Sequence, residues 1–245
     1  MSRTHYAALL CALTSTLLHA SPSSVFWTNC TTKCTLPKTT TLAFTNVFSL
    51  SGSGHPPAFP PDLYVEYGLP EYHGITGEVG VDFLGGKRNP FYFNGKVAIK
   101  EGRLFSRAPS VSVGIFSVGT KTHGKNRTNQ NVVDCVLGHS LPKCIGGALY
   151  VGVFSGSKAM GKNHCGGMIA FDRPFHRTHD KNNKAYYKWA FSIDYATGKN
   201  TIGGGGFALS YHFTPKISMQ TGPVWFNSRK INGPWKWLIQ IGISL

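Results

Sequence analysis

The sequence predicts an all-β protein, a transmembrane antiparallel up-and-down β-barrel of about twelve strands. Three observations lead there. From Thr41 onward, segments of about 8–12 residues alternate apolar and polar side chains, the period-two signature of strands whose side chains point to opposite faces. Clusters of Gly, Pro, Asn, Lys and Ser separate the segments. Charged residues make up only 14% of the chain while glycines number 29, a poor mixture for helices because glycine costs roughly 1 kcal/mol in a helix interior relative to alanine.

The elements follow in order. Residues 1–20 read as an export signal: Arg3 gives a positive start, residues 7–18 are apolar, and Ala20 is a small residue for cleavage before Ser21. Beyond it no run reaches the roughly 18 apolar residues of a spanning helix. Residues 21–40 lack alternation and form either a periplasmic extension or a plug folded into the barrel mouth. Residues 41–245 form the barrel, with strands expected at 42–50, 63–69, 75–84, 91–100, 110–120, 131–141, 147–155, 167–175, 186–196, 207–214, 217–226 and 235–245. The strand at 186–196 alternates most cleanly, with Tyr187, Trp189, Phe191 and Ile193 on one face and Lys188 and Asp194 on the other. In the last strand Trp235, Trp237, Ile239 and Ile241 share a face opposite Lys236. Pro174 is expected to end the eighth strand early, leaving a long connection over 174–184.

One face of each strand is apolar and carries Trp and Tyr near its ends, so these eight residues are expected to meet lipid: Tyr187, Trp189, Phe191, Ile193, Trp235, Trp237, Ile239 and Ile241. The opposite face is expected to line a polar lumen, through Glu66, Glu78, Asp82, Lys96, Asp134, Asp172, Lys188, Asp194, His212 and Lys236. Asp194 and Lys188 are expected to face one another in a crosswise charge network. The competing reading is a soluble sandwich, in which the same apolar face turns into a core.

The terminal alternating strand, ending at Leu245, resembles the strand by which bacterial outer-membrane barrels are recognised for assembly. Several runs resemble an uncharacterised family of such proteins: residues 27–31 (WTNCT), 194–200 (DYATGKN) followed by 202–206 (IGGGG), and 221–227 (TGPVWFN). The resemblance implies a barrel in the outer membrane of a Gram-negative bacterium that engages the barrel-assembly machinery. It implies no substrate.

The net charge is +15, and its cations cluster in expected connections: Lys121, Lys125 and Arg127; Lys158 and Lys162; Arg173, Arg177, Lys181 and Lys184; Arg229 and Lys230. External loops of this kind suit lipopolysaccharide phosphates, or are simply solvated. No nucleic-acid reader motif accompanies the charge, so nucleic acid is not an expected partner. Cys30 with Cys34, and Cys135 with Cys144, are close enough in sequence for disulfides in an oxidising compartment. No paired C-x-x-C spacing suggests a metal, the Gly203–Gly206 run is followed by a strand rather than the helix of a phosphate loop, and no cofactor is expected. Ser210, His212 and Asp194 share an inward face, but no G-x-S-x-G elbow surrounds the serine, so a hydrolase is a minor reading. The leading expectation is a porin-like passage for small polar solutes; the alternative is a sealed structural or adhesive barrel with basic external loops.

Overall fold

A computed structural model describes residues 24–50, 59–85, 89–124 and 127–245; the expected export signal, Lys125 and residues 21–23 lie outside the described residues. Twelve strands follow one another as β1 (Thr40–Phe48), β2 (Asp62–Gly68), β3 (Ile75–Leu84), β4 (Phe91–Ile99), β5 (Ser110–Gly119), β6 (Val132–Ser140), β7 (Ala148–Ser155), β8 (Cys165–His179), β9 (Ala185–Ala196), β10 (Gly204–His212), β11 (Ile217–Phe226) and β12 (Lys236–Ser244). Each pairs antiparallel with the next, and β1 pairs with β12 from Thr41↔Ser244 to Phe48↔Trp237, closing the barrel. Closure leaves no unpaired edge strand, which a lipid environment demands because it offers no water to backbone N–H and C=O groups. A single helical turn, Arg229–Asn232, and a short 3-10 turn, Lys158–Met160, are the only helical pieces among the described residues.

The connections differ at the two ends. Residues 69–74, 100–109, 141–147, 180–184 and 213–216 join strands at one rim, and the described residues 49–50, 59–61, 120–124, 127–131, 156–164, 197–203 and 227–235 are among those at the other. They are called here the short-turn rim and the long-loop rim.

Side-chain direction follows the alternation. Along β7 the exposed Leu149, Val151 and Val153 alternate with the buried Tyr150 and Phe154, and all twelve strands expose bulky apolar residues on one face, for example Phe44, Val97, Ile115, Leu209 and Ile241. An apolar belt of this kind is what acyl chains accept. Val151 lies mid-strand on that belt, 46% exposed. Val151→Arg is therefore expected to cost about 2–4 kcal/mol in a bilayer, read as an earlier urea midpoint for the heat-modifiable folded band in liposomes. An unchanged midpoint would mean that the outer face sits in water.

Two strands correct the sequence reading. β8 does not stop near Pro174 but runs on to His179, so its connection to β9 is only residues 180–184. Pro174 is tolerated because it sits beyond the last residue of β7 that pairs with β8, Ala148↔Asp172, and so needs no N–H for that neighbour. β10 begins inside the glycine run, at Gly204 rather than at Phe207.

Candidate functional site

The lumen holds described residues of the chain's own N-terminal segment. Lys38 donates its N–H to Gly68 O at 2.7 Å, at the short-turn rim. From there the segment runs up the lumen toward the long-loop rim, where Trp27 packs edge-on against Phe59 and Phe226 and donates Nε1–H to Ile202 O at 2.9 Å. It then turns back, Val25 N donating to Thr28 O at 3.0 Å, and Val25 O accepts from Gln220 Nε2 at 3.0 Å.

Inward-facing carboxylates hold this segment. The backbone N–H groups of Phe26, Trp27 and Thr28 all donate to Asp194 Oδ2, at 3.0, 2.8 and 2.6 Å, and the Thr28 hydroxyl adds a fourth bond at 3.1 Å. Successive N–H groups converging on one anion make a strong latch, because a charged acceptor roughly doubles the strength of each bond. Below it, the Lys33 ammonium pairs with Asp172, Thr35 N donates to Glu78 Oε2 at 2.6 Å, and Thr35 Oγ1 donates to Glu66 Oε2 at 2.9 Å. Lys96 lies 3.2 Å from Glu78, and Asn94 Nδ2 donates to Asp82 Oδ2 at 2.9 Å.

Of the residues expected along the lumen, Glu66, Glu78, Asp82, Lys96, Asp134, Asp172, Asp194, His212 and Lys236 are buried on the inner face. Lys188 is placed differently. It stands at the short-turn rim with its ammonium 5.4 Å from the Tyr211 ring centroid, and Tyr211 in turn packs edge-on against Trp189 of the outward face. The crosswise Asp194–Lys188 pair is therefore not formed, since Asp194 meets backbone N–H groups instead. On the outer face, Phe191, Ile193, Trp235 and Ile241 are exposed, while Tyr187, Trp189, Trp237 and Ile239 are partly covered by neighbours; Trp237 Nε1 donates to Thr221 Oγ1 at 2.7 Å.

The inner face is less polar than alternation alone suggests. Val25 and Cys30 of the segment pack with Phe116, Val132, Val136 and Phe154, and Phe26 packs with Val47, Ala208, Val224 and Leu238. A glycine makes room for this: a Cβ on Gly206 would stand 2.6 Å from Phe26 Cε1. These packing residues were missed by the sequence reading, but a signal exists. Val132-Val133, Val136-Leu137, Val224-Trp225 and Leu238-Ile239 are apolar at consecutive positions, so each strand offers an apolar side chain to both faces.

Two cavities flank the segment. One of about 460 Å³ opens at the short-turn rim among Thr32, Cys34, Thr76, Glu101, His139 and Tyr150. The other, of about 390 Å³, lies toward the long-loop rim among Trp27, Asn29, Asp62, Asp82, Tyr92 and Gln130.

All five described cysteines are unpaired thiols, so neither disulfide expected from spacing is present. Cys135 faces outward from β6, while Cys144 sits in the 141–147 turn. Cys30 is fully buried and packed with Val132 and Val136, so its thiol is shielded from reagents in water while the segment stays in place. With the other cysteines replaced by serine, Cys30 is expected to react with a maleimide many-fold more slowly than in urea-unfolded protein. Fast labelling of the folded barrel would show the segment already mobile.

Ser210 and His212 do not assemble with Asp194. Asp194 pairs across from Gly206, four residues along β10 from Ser210, a separation of about 13 Å along the strand. No cluster of three or more metal-ligating side chains occurs among the described residues.

No family model matches the sequence, and no curated protein matches it. Among solved structures the chain is similar in shape to the KdgM porin, with 8% identity, a TM-score of 0.48, and coverage of 83% of this chain and 97% of that one. An outer membrane channel from Pseudomonas putida F1 gives 9% identity and a TM-score of 0.45, covering 87% of this chain and 97% of that one. The NanC porin gives 12% and 0.39, covering 83% and 98%. Likeness this distant transfers no function, and the functional reading rests on the lumen itself.

Proposed function

We propose that the chain is an outer-membrane passage for small polar solutes whose lumen its own N-terminal segment keeps closed. The observation that carries this reading is the pair of cavities at opposite ends of one closed barrel, parted by residues that belong to no strand. A barrel of about twelve strands has room for a small solute once its interior is cleared. The long-loop rim, with Lys158, Lys162, Arg229 and Lys230, would face the outside and meet lipopolysaccharide phosphates, and the barrel-assembly machinery would insert the chain.

A sealed barrel is the second reading, favoured by how completely the segment is hydrogen bonded. Planar-bilayer recording separates them. Purified protein is expected to give rare, discrete conductance steps, which become frequent in a variant lacking residues 24–35. If neither protein conducts, the barrel is sealed and the passage reading fails.

A further inference from the structure

β8 and β9 outlast their neighbours at the short-turn rim. β7 follows β8 only as far as Asp172, and β10 follows β9 only to Trp189. Beyond those limits the two strands pair with each other alone, through Arg177↔Tyr187, Thr178↔Tyr186 and His179↔Ala185. The result is a two-stranded tongue whose last strand residue, His179, lies about 23 Å along β8 from the β7 boundary.

The outer face of this tongue alternates guanidinium and ring: Arg173, Phe175 and Arg177 on β8 stand beside Phe191, Trp189 and Tyr187 on β9. At its base Phe171, Arg173, Phe175 and Phe191 line an apolar groove of about 380 Å³. Arg173 and Arg177 are exposed and take part in none of the ion pairs among the described residues. The one acid of the tongue beyond Asp172, Asp180, turns its Oδ1 to the N–H groups of Asn182 and Lys184 at the tip.

The geometry points to a binding site for an anionic phospholipid of the leaflet at this rim, its phosphate taken by Arg173 and Arg177 and an acyl chain laid along the phenylalanine groove. The inference rests on the reading that the barrel spans a bilayer. Arg suits a phosphate because its planar fork donates two parallel hydrogen bonds. Trp and Tyr settle at headgroup depth, which places Trp189, Tyr187 and the Arg177 paired with Tyr187 where phosphates lie, with Arg173 across from Phe191 one step closer to the barrel wall. Charge decides the lipid class: the outward surface of the tongue carries cations and no acid, so a headgroup with net negative charge is favoured over a zwitterionic one.

The test uses the full-length barrel reconstituted in vesicles of mixed phosphatidylglycerol and phosphatidylcholine. After mild detergent extraction, native mass spectrometry counts the retained lipids. Phosphatidylglycerol is expected to be enriched roughly 25-fold over phosphatidylcholine, since each of the two basic side chains near an anionic surface favours it by about fivefold. The double variant Arg173→Gln/Arg177→Gln is expected to bring the ratio back to parity, whereas Lys143→Gln/Lys216→Gln, exposed in two other turns of the same rim, leaves it enriched. Parity in the unaltered protein, enrichment that survives the Arg173/Arg177 change, or equal loss in both variants would each overturn the site. Insertion is read separately by heat-modifiable mobility. A barrel that inserts without lipid preference overturns the lipid site alone, and one that inserts into no vesicle overturns the bilayer reading and the site together.

Discussion

Asp194→Ala is expected to raise the open probability of the barrel by roughly two orders of magnitude in planar bilayers. One carboxylate oxygen collects three backbone N–H groups and a hydroxyl from residues 26–28, and a hydrogen bond to a charged group contributes about 1.5–3 kcal/mol. Losing the acceptor also leaves three N–H donors without their partner inside the lumen, and each such buried donor costs about 1–3 kcal/mol. A net loss of only about 3 kcal/mol from the closed state is already more than a hundredfold in the closed-to-open ratio. Asp194→Asn keeps an oxygen acceptor but loses the charge, so its effect should fall between alanine and the unaltered protein. Cys30 provides an independent reading, because its maleimide reactivity must rise in the same order if the segment itself is what moves. Conductance that rises without any gain in Cys30 labelling would locate the gate elsewhere. No gain in either would mean that apolar packing of Val25 and Phe26, rather than the latch, holds the segment.

How much of this was legible in the sequence depends on how local the cause is. Strand positions are set by side chains two residues apart, so β9 and β12 were visible from Tyr187-Trp189-Phe191-Ile193 and Trp237-Ile239-Ile241 alone. The extent of β8 was not, because whether Pro174 ends a strand depends on which neighbour stands beside it, and β7 has already stopped. The inward carboxylates were legible as a face, but their partners were not. Asp194 lies 166 residues from Thr28, and no local pattern announces that its partners are backbone N–H groups rather than the ammonium of Lys188. Lys188 itself obeys the alternation in its backbone position, yet at the rim its long stem is able to curl around to Tyr211. The lumen segment was the hardest to place. It is short of alternation because it is neither strand nor helix, and only the doubled apolar positions on β6, β11 and β12 hinted that the inner face had something greasy to cover.

Once opened, the lumen is expected to prefer cations, in a protein whose net charge is +15. Six buried carboxylates look inward, Glu66, Glu78, Asp82, Asp134, Asp172 and Asp194, against Lys96 and Lys236 on the wall. Lys33 offsets Asp172 in the closed barrel, but it belongs to the segment, so displacing the segment removes a cation and uncovers an anion at once. The positive excess lies elsewhere, on loops such as those carrying Arg127, Lys158 and Arg229, where salt screens charges more than about 8–10 Å from the ion path. At the long-loop end the cavity wall presents, among the described residues, Asp62 and Asp82 and no Lys, Arg or His. A unit charge about 4 Å from a passing ion is worth about 1 kcal/mol in water-like dielectric, roughly a fivefold enrichment of cation over its bulk level. In the Asp194→Ala barrel, with asymmetric potassium chloride, the reversal potential should therefore report potassium as several-fold more permeant than chloride. Adding Asp62→Asn and Asp82→Asn should bring the ratio toward unity, because these two carboxylates stand at the mouth where an entering ion first loses bulk water. A chloride-selective reversal potential would mean that the basic rim, and not the wall of the lumen, sets which solutes enter.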